Sequence, residues 1–97
     1  MNPVIISPEA EADLADAYQW YEQRVEGLGD EFLLCVEACI RSVARSPKIY
    51  QKVHKNIRRA LVRRFPYGVF FIEEVNHIRV VAVFHAHRNP VIWRDRK

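Results

Sequence analysis

Two apolar runs in the second half of this 97-residue chain place the strongest constraint on its fold. Val69–Ile72 and Ile78–Phe84 are rich in β-branched and aromatic residues, and the polar segment Glu73–His77 joins them. Short runs of this kind, separated by polar residues, are typical of an antiparallel strand pair. The second run is apolar almost throughout, which predicts a central strand with both faces covered.

Both ends of this predicted hairpin are basic. The cations and histidines are, in chain order, Arg63, Arg64, His85, His87 and Arg88. Because the entry and the exit of a hairpin lie side by side, we expect these side chains at one edge of the sheet. Tyr67 and Trp93 flank the strands and are expected at the same edge, which is therefore the candidate site.

Upstream of the hairpin, helical spacing of apolar residues predicts two amphipathic helices. The predicted bounds are a strand at Pro3–Ile6, a helix from Ser7-Pro8 to a break at Gly27–Gly29, and a helix from about Asp30 to Arg45. Tyr18, Trp20 and Tyr21 lie within the first predicted helix; we interpret them as packing residues, or as a partner surface where exposed. A short link makes the two helices an antiparallel hairpin that must cover a sheet.

Between the helices and the strand pair, the pattern is less regular. Ile49–Asn56 is interpreted as a polar connection, and Ile57–Phe65 as a strand. That strand does not alternate cleanly between polar and apolar residues, so its outward-facing arginines are not specified. Local pattern alone also leaves the order of the strands in the sheet open.

Composition argues for an ordinary globular protein of the cytoplasm. No apolar run approaches the roughly 20 residues that span a bilayer, and no charged start precedes an apolar signal core. Cys35 and Cys39 are four residues apart in a helical pattern, where side chains seldom meet disulfide geometry. We interpret both as small apolar residues in a reducing compartment.

The charge is divided unevenly along the chain. Residues 1–47 hold nine acidic and three basic residues, a net charge of −6, whereas residues 48–97 hold twelve basic and three acidic residues, a net charge of +9. This division favours a polyanion or an acidic partner for the second half. Attraction between the two halves within the fold is the alternative.

Several chemistries find little support in the residues. His85 and His87 lie two apart, hence on one face of a strand, but the other histidines and the cysteines lie on other segments, so no metal site is expected. Paired catalytic carboxylates, a Gly-x-Ser-x-Gly motif and a phosphate-cradling glycine loop are also missing from the sequence. No cofactor is implied.

As an ordered set, the motifs resemble the ParE branch of the RelE/ParE superfamily, small bacterial toxins of type II toxin–antitoxin systems. The likeness rests on FPYGVFF, on a strand ending VFHAHRNP followed by Trp and Arg, and on the upstream segments PEAEADLADAYQWYEQR and GLGDEFL. It implies an α+β fold: an N-terminal strand, then an antiparallel helical hairpin packed on a small antiparallel β-sheet. Residues 1–97 would form a single toxin domain.

The RelE branch of this superfamily resembles a metal-independent ribonuclease that cuts mRNA on the ribosome with cations on the sheet and a C-terminal tyrosine. Carried over by position, Arg88 matches an arginine at the end of the last strand, and Arg59 stands in for a strand lysine. His85 or His87 could serve as the acid or base, because imidazole titrates near neutral pH. These four residues are the catalytic candidates if the protein is a ribonuclease.

Three positions depart from that ribonuclease pattern. Gly68 and Leu61 stand where those toxins carry an arginine and a lysine, and Trp93 lies near the position of their tyrosine. An indole is no general acid at neutral pH, so the departures count against mRNA cleavage.

The ParE branch, in contrast, resembles inhibitors of DNA gyrase that need no active site of their own. Such inhibition requires a surface with strong anchors, and arginine, tyrosine and tryptophan are the residue types enriched among them. Seven residues fit this description, Arg63, Arg64, Tyr67, Arg88, Trp93, Arg94 and Arg96, and the first six are the predicted target-binding residues. Core packing is the alternative for the two aromatic residues, and a solvated surface is the alternative for the arginines.

The resemblance also implies the partners. A cognate antitoxin, encoded beside this gene, would fold an acidic amphipathic segment onto the arginine-rich edge in a toxin–antitoxin hetero-oligomer. DNA would be contacted only through the antitoxin, and no membrane is involved. A toxin-fold protein without potent activity is a third possibility beside gyrase inhibition and mRNA cleavage.

Overall fold

The computed structural model describes residues 1–87 and 91–96 of the chain. Its elements are β1 (Val4–Ile6), α1 (Pro8–Arg24), α2 (Leu28–Arg45), a 3-10 turn (Pro47–Ile49), β2 (Lys52–His54), β3 (Ile57–Leu61), β4 (Tyr67–Glu73), β5 (Ile78–His85) and α3 (Val91–Arg94). Within these residues, five strands form one sheet in the order β1-β5-β4-β3-β2. Helices α1 and α2 pack on one face of this sheet, which confirms the predicted α+β fold.

The sheet is antiparallel from β2 to β5, whereas β1 runs parallel to β5 at the other side. Val4 lies opposite Ile78, and Ile6 opposite Val80. A parallel pair needs a long crossover connection, which the helical hairpin and the three intervening strands provide. The strand pair β4–β5 matches the two apolar runs of the sequence and lies at the centre of the sheet, as predicted.

A β-bulge interrupts the pairing of β4 with β5. Phe70 lies opposite Ala82 and Phe71 opposite Val80, so Val81 is an extra residue on β5. A bulge leaves backbone groups outside the ladder, and α1 supplies partners for them. The Ser7 hydroxyl donates to the Val81 carbonyl over 3.4 Å, and a carboxylate of α1, described below, accepts the Val83 N–H.

The sheet divides the core into two clusters, one on each face. We call the face covered by α1 and α2 the hairpin face, and the opposite face the far face. Buried residues of the hairpin face include Ala17, Phe32, Val36, Ala60, Val69, Phe71, Val80 and Val83. Buried residues of the far face are Ile57, Phe70, Ile72, Val81, Ala82 and Trp93.

The junction between the helices explains why α2 begins at Leu28 and not near Asp30. Gly27 adopts φ +88°, a conformation that favours glycine, and serves as the N-cap. It offers no side chain for capping, so Glu22 of α1 does this instead. Its two carboxylate oxygens accept the backbone N–H groups of Gly27 and Gly29, each over 2.9 Å. A carboxylate at a helix N-terminus is also favoured by the helix dipole.

Two further sequence expectations need correction. The segment 49–56, expected to be a polar connection, contains β2, whose partly buried Val53 packs on the far face. The strand expected at Ile57–Phe65 ends at Leu61, and residues 63–66 form a bend. Among the described residues, no helix is long and apolar enough to cross a membrane.

Candidate functional site

The bend between β3 and β4 presents two arginines at one end of the sheet. The Val62 N–H donates to the Tyr67 carbonyl over 2.9 Å, and the Ala86 N–H donates to the Pro66 carbonyl over 2.8 Å, which holds the bend against both neighbouring strands. Arg63 and Arg64 are exposed, and Arg64 has φ +72°. We call Arg63, Arg64, Tyr67 and His85 the basic edge.

The charges of the basic edge are only lightly neutralised within the chain. Arg64 Nη2 lies 3.9 Å from Glu31 Oε2, and both side chains are at least half exposed. Exposed pairs at this distance contribute about 0–1 kcal/mol. In the part of the chain that the structure describes, Arg63 forms no ion pair. Both guanidinium groups are therefore available to a partner.

Tyr67 and His85 anchor this edge on the hairpin face. They lie opposite each other on β4 and β5, with ring centroids 5.7 Å apart, and Tyr67 packs edge-on against Phe32. The His87 N–H donates to His85 Nδ1 over 3.2 Å, which places the proton of a neutral His85 ring on Nε2. Burial, and then the neighbouring Tyr67, raises the pKa of Tyr21 next to this pair, so the Tyr21 hydroxyl stays protonated at neutral pH.

Trp93 and Arg94 do not join the basic edge. Trp93 is 5% exposed and stacks on Phe70 of the far face, with centroids 4.3 Å apart. The expectation that Trp93 and Tyr67 lie at the same edge of the sheet is therefore wrong, because α3 packs on the far face. Arg94 is exposed beside Trp93, and Arg88 lies outside the described residues. A target-binding role of Trp93, Arg94 and Arg88 stays a prediction.

The positions that depart from the ribonuclease pattern share the far face. The stem of Arg59 packs over Gly68: a Cβ at Gly68 would lie 3.0 Å from Arg59 Cγ and 3.3 Å from the ring of Phe70. Leu61, two residues along β3 from Arg59, is exposed. Glycine at position 68 thus gives the Arg59 stem room to lie against the strand, because a Cβ there would have to displace that stem.

The catalytic candidates are divided between the two faces of the sheet. Arg59 lies on the far face with Phe70, its partner across β3 and β4, whereas His85 lies on the hairpin face with Tyr67. His87 is exposed in the turn beyond β5. The backbone of the sheet therefore separates the Arg59 cation from the His85 imidazole.

Two arginines have partners within the chain that the sequence did not predict. Arg58, adjacent to Arg59, points to the hairpin face and donates to the Tyr50 carbonyl over 2.6 Å. Arg96 forms a bidentate ion pair with Asp13 of α1, with Nη1–Oδ2 at 2.5 Å and Nη2–Oδ1 at 3.3 Å. Asp13 and Arg96 are 83 residues apart, so no local pattern signals their pairing.

A groove of about 340 Å³ lies between α1 and the ends of β4 and β5, next to the basic edge. We call it the α1 groove. Its lining includes Asp13, Asp16, Trp20, Tyr21, Tyr67 and His85. Trp20 is 47% exposed, so it is the aromatic residue of α1 that offers a partner surface. The groove thus combines aromatic walls with carboxylates, in contrast to the arginines of the basic edge, with which it shares Tyr67 and His85.

The described residues contain no group of three or more His, Cys, Asp or Glu side chains placed to hold a metal ion. The thiol of Cys39 is directed inward, with Sγ 3.7 Å from the carbonyl oxygens of Ala60 and Leu61. Burial raises the pKa of Cys39 to about 11. Because the thiolate is the nucleophile, Cys39 is a poor candidate for covalent catalysis.

Alkylation should reveal this shifted pKa. At pH 8, a thiol of pKa about 11 is ionised in only about one molecule in a thousand. We expect the rate of Cys39 carbamidomethylation by iodoacetamide, followed by peptide mass spectrometry, to rise about tenfold per pH unit between pH 8 and pH 10. The chain unfolded in guanidinium is the control and should react rapidly at pH 8. Equal rates in the folded and unfolded chains would contradict the shift.

Comparison with known proteins agrees with this architecture. The family described as "ParE toxin of type II toxin-antitoxin system, parDE" matches residues 4–90. A chain of the solved "Chromosomal ParDE TA system from P. aeruginosa" shares the fold, with a TM-score of 0.77 and 14% identity over 90% of this chain and 98% of that chain. A search of curated proteins gave no match. Because the family match extends over most of its length, the chain belongs to the ParE toxin family of type II toxin–antitoxin systems.

Proposed function

We propose that this toxin inhibits DNA gyrase by binding it through the basic edge, without chemistry of its own. The observation that carries the proposal is the separation of two of the four catalytic candidates: Arg59 lies on the far face, whereas His85 lies on the hairpin face. General acid–base catalysis needs its groups within hydrogen-bond reach of one substrate. A binding surface, in contrast, needs only exposed anchors, and Arg63 and Arg64 meet that requirement.

The backbone of Arg64 supports a role for its side chain. Left-handed backbone costs an ordinary L-residue about 1–2 kcal/mol, and glycine avoids that cost. Residues held in such conformations are frequent at functional sites. An arginine at this position, with only a long and exposed ion pair to Glu31, is better explained by a partner than by the stability of the chain.

The antitoxin is the second partner in the proposal. We infer that it folds an acidic amphipathic segment onto the basic edge, because Arg63 and Arg64 lack close counter-ions in the described residues. The antitoxin would then compete with gyrase for one surface. DNA would be contacted through the antitoxin alone, in a hetero-oligomer that keeps the toxin inactive.

A pair of arginine and lysine variants tests the gyrase proposal. Arg64→Gly should leave the free energy of unfolding unchanged or raise it by up to about 1 kcal/mol, since it relieves the left-handed backbone. It should nevertheless weaken inhibition of gyrase supercoiling roughly tenfold, the loss expected for an interface arginine. Lys55→Gly is the matched control, because Lys55 is also exposed, also has positive φ (+50°), and lies at the opposite end of β3.

The outcomes separate the proposed target from the alternatives. Inhibition that is equal for wild type and Lys55→Gly, but about tenfold weaker for Arg64→Gly, supports the basic edge. Supercoiling that is unaffected by a molar excess of the wild-type toxin contradicts gyrase as the target. Cleavage of mRNA in a ribosome-containing reaction, lost in Arg59→Ala, would replace it with the ribonuclease function.

A further inference from the structure

The α1 groove differs in charge from the basic edge. Asp13 and Asp16 bring two carboxylates to its α1 side. Asp13 is already saturated, since its carboxylate accepts both the Arg96 guanidinium and the Val83 N–H. Asp16 is exposed one turn later and forms no ion pair with the residues that the structure describes. The groove therefore offers one available negative charge.

Among the described residues, the bases around the groove have partners other than Asp16. His85 and Tyr67 line the groove from the strands, and Tyr21 lines it from α1, the helix that carries Asp16. His85 Nδ1 accepts the His87 N–H. Arg96 is engaged by Asp13 and by the Val81 carbonyl, at 3.5 Å. Arg24, the next base along α1, is held over Trp20 and donates to the Trp20 carbonyl over 3.0 Å.

The aromatic walls suit a flat cation. The guanidinium carbon of Arg24 lies 3.4 Å from the ring centroid of Trp20, so one face of this ring already binds a guanidinium by a cation–π contact. Tyr67 lines the groove from β4. An arginine side chain that enters the groove would lay its apolar stem along Tyr67 and the part of Trp20 that Arg24 leaves uncovered, and place its charge beside Asp16.

We propose that the α1 groove binds an arginine of the antitoxin segment, with the guanidinium paired to Asp16 and packed against Trp20 and Tyr67. This inference rests on the proposed function, because the occupant is the antitoxin that covers the basic edge. The segment then carries an acid over Arg63 and Arg64 and a base in the adjacent groove. Two opposite charges in a fixed order define the direction in which the segment runs along the toxin, because the reversed segment meets like charges at both places.

Charge reversal in the full toxin–antitoxin complex tests the proposal. The antitoxin encoded beside this gene is purified, and its dissociation constant is measured for wild-type toxin and for Asp16→Lys. We expect binding to weaken roughly ten- to a hundredfold, because a like charge meets the arginine in a partly enclosed groove. Glu37→Lys makes the same charge change on the exposed side of α2, and it should alter the dissociation constant no more than about twofold.

A compensating change identifies the antitoxin residue. Each arginine of the antitoxin segment is replaced by glutamate and tested against Asp16→Lys; one of these variants should recover most of the lost affinity. Thermal unfolding of Asp16→Lys and Glu37→Lys alone confirms that both are folded.

Each contrary result has its own meaning. Unchanged affinity of Asp16→Lys, or the failure of every arginine variant to recover it, overturns the arginine assignment but leaves the antitoxin intact. A dimer of isolated toxin that Asp16→Lys dissociates makes a second copy of the chain the occupant and also overturns the assignment. An antitoxin that does not bind wild-type toxin removes the proposed partner, and the inference with it.

Discussion

Replacing Asp13 by alanine should lower the free energy of unfolding by about 3 kcal/mol, the lower end of the range for removing one member of a buried ion pair. The Asp13 side chain is 10% exposed and that of Arg96 20% exposed. The variant leaves the Arg96 guanidinium and the Val83 N–H without their acceptor in a largely enclosed place. Arg96 can recover part of its hydration through its exposed fifth, so we do not expect the upper end of that range.

The large effect follows from the position of Asp13 among three elements. Its carboxylate accepts the Val83 N–H over 3.0 Å, directly after the bulge in β5, and pairs with Arg96 beyond α3. The same Arg96 also reaches the Val81 carbonyl of the bulge. One side chain of α1 therefore fixes both the bulge, which assigns the residues of β5 to their faces, and the C-terminal segment that carries Trp93.

Urea unfolding of a small set of variants measures this contribution. Asp13→Asn keeps an acceptor for the Val83 N–H and should lose about half as much stability as Asp13→Ala. Asp16→Asn is the matched control on the same helix, and its exposed carboxylate should change the free energy of unfolding by less than about 0.5 kcal/mol. In a double-mutant cycle with Arg96→Met, the two losses should be strongly non-additive. Additive losses would show that Asp13 and Arg96 act independently.

The sequence was informative wherever stability depends on neighbours along the chain. The strand pair was recognisable because Val69–Ile72 and Ile78–Phe84 must be covered on both faces, and α1 because Ser7 and Pro8 mark its start. The arginines of the basic edge were placed correctly because the ends of adjacent antiparallel strands coincide. Arg63 and Arg64 were predicted as strand residues, however, because the bend is held in part by a distant segment, whose Ala86 N–H donates to the Pro66 carbonyl.

The sequence was uninformative wherever a contact joins distant segments. The extra residue Val81 changes which side chains of β5 share a face. The residues directly before and after Val81 are apolar, so the pattern of the sequence does not reveal the bulge. Without that register, Arg59 and His85 appear as members of one site, although the sheet lies between them. The sequence allowed Trp93 to be either a target-binding residue or a core residue. The structure shows that it packs on Phe70, because α3 lies on the far face.

Replacing Phe32 by alanine should lower the free energy of unfolding by about 3–5 kcal/mol, because the ring is fully buried and its loss leaves a cavity. Phe32 of α2 lies below the basic edge, with ring centroids 5.0 Å from Tyr67 and 5.3 Å from both Tyr21 and Phe65. Tyr21 and Phe65 are themselves 4.9 Å apart, so the four rings form one packed group beneath the bend that presents Arg63 and Arg64. The substitution therefore removes side-chain packing directly beneath the candidate site.

Because Phe32 packs beneath the basic edge, we expect the Phe32 variant also to bind the antitoxin more weakly, an effect that can be measured separately from stability. Phe70→Ala removes a ring of similar burial from the far face and should lose comparable stability, but Tyr67 does not rest on Phe70. At a temperature where urea unfolding shows both variants to be folded, Phe32→Ala should bind the antitoxin more weakly than Phe70→Ala, because Tyr67 and the bend lose the surface that positions them. Equal affinities would show that the basic edge keeps its geometry without the aromatic group, whereas a loss confined to Phe70→Ala would move the binding surface to the far face.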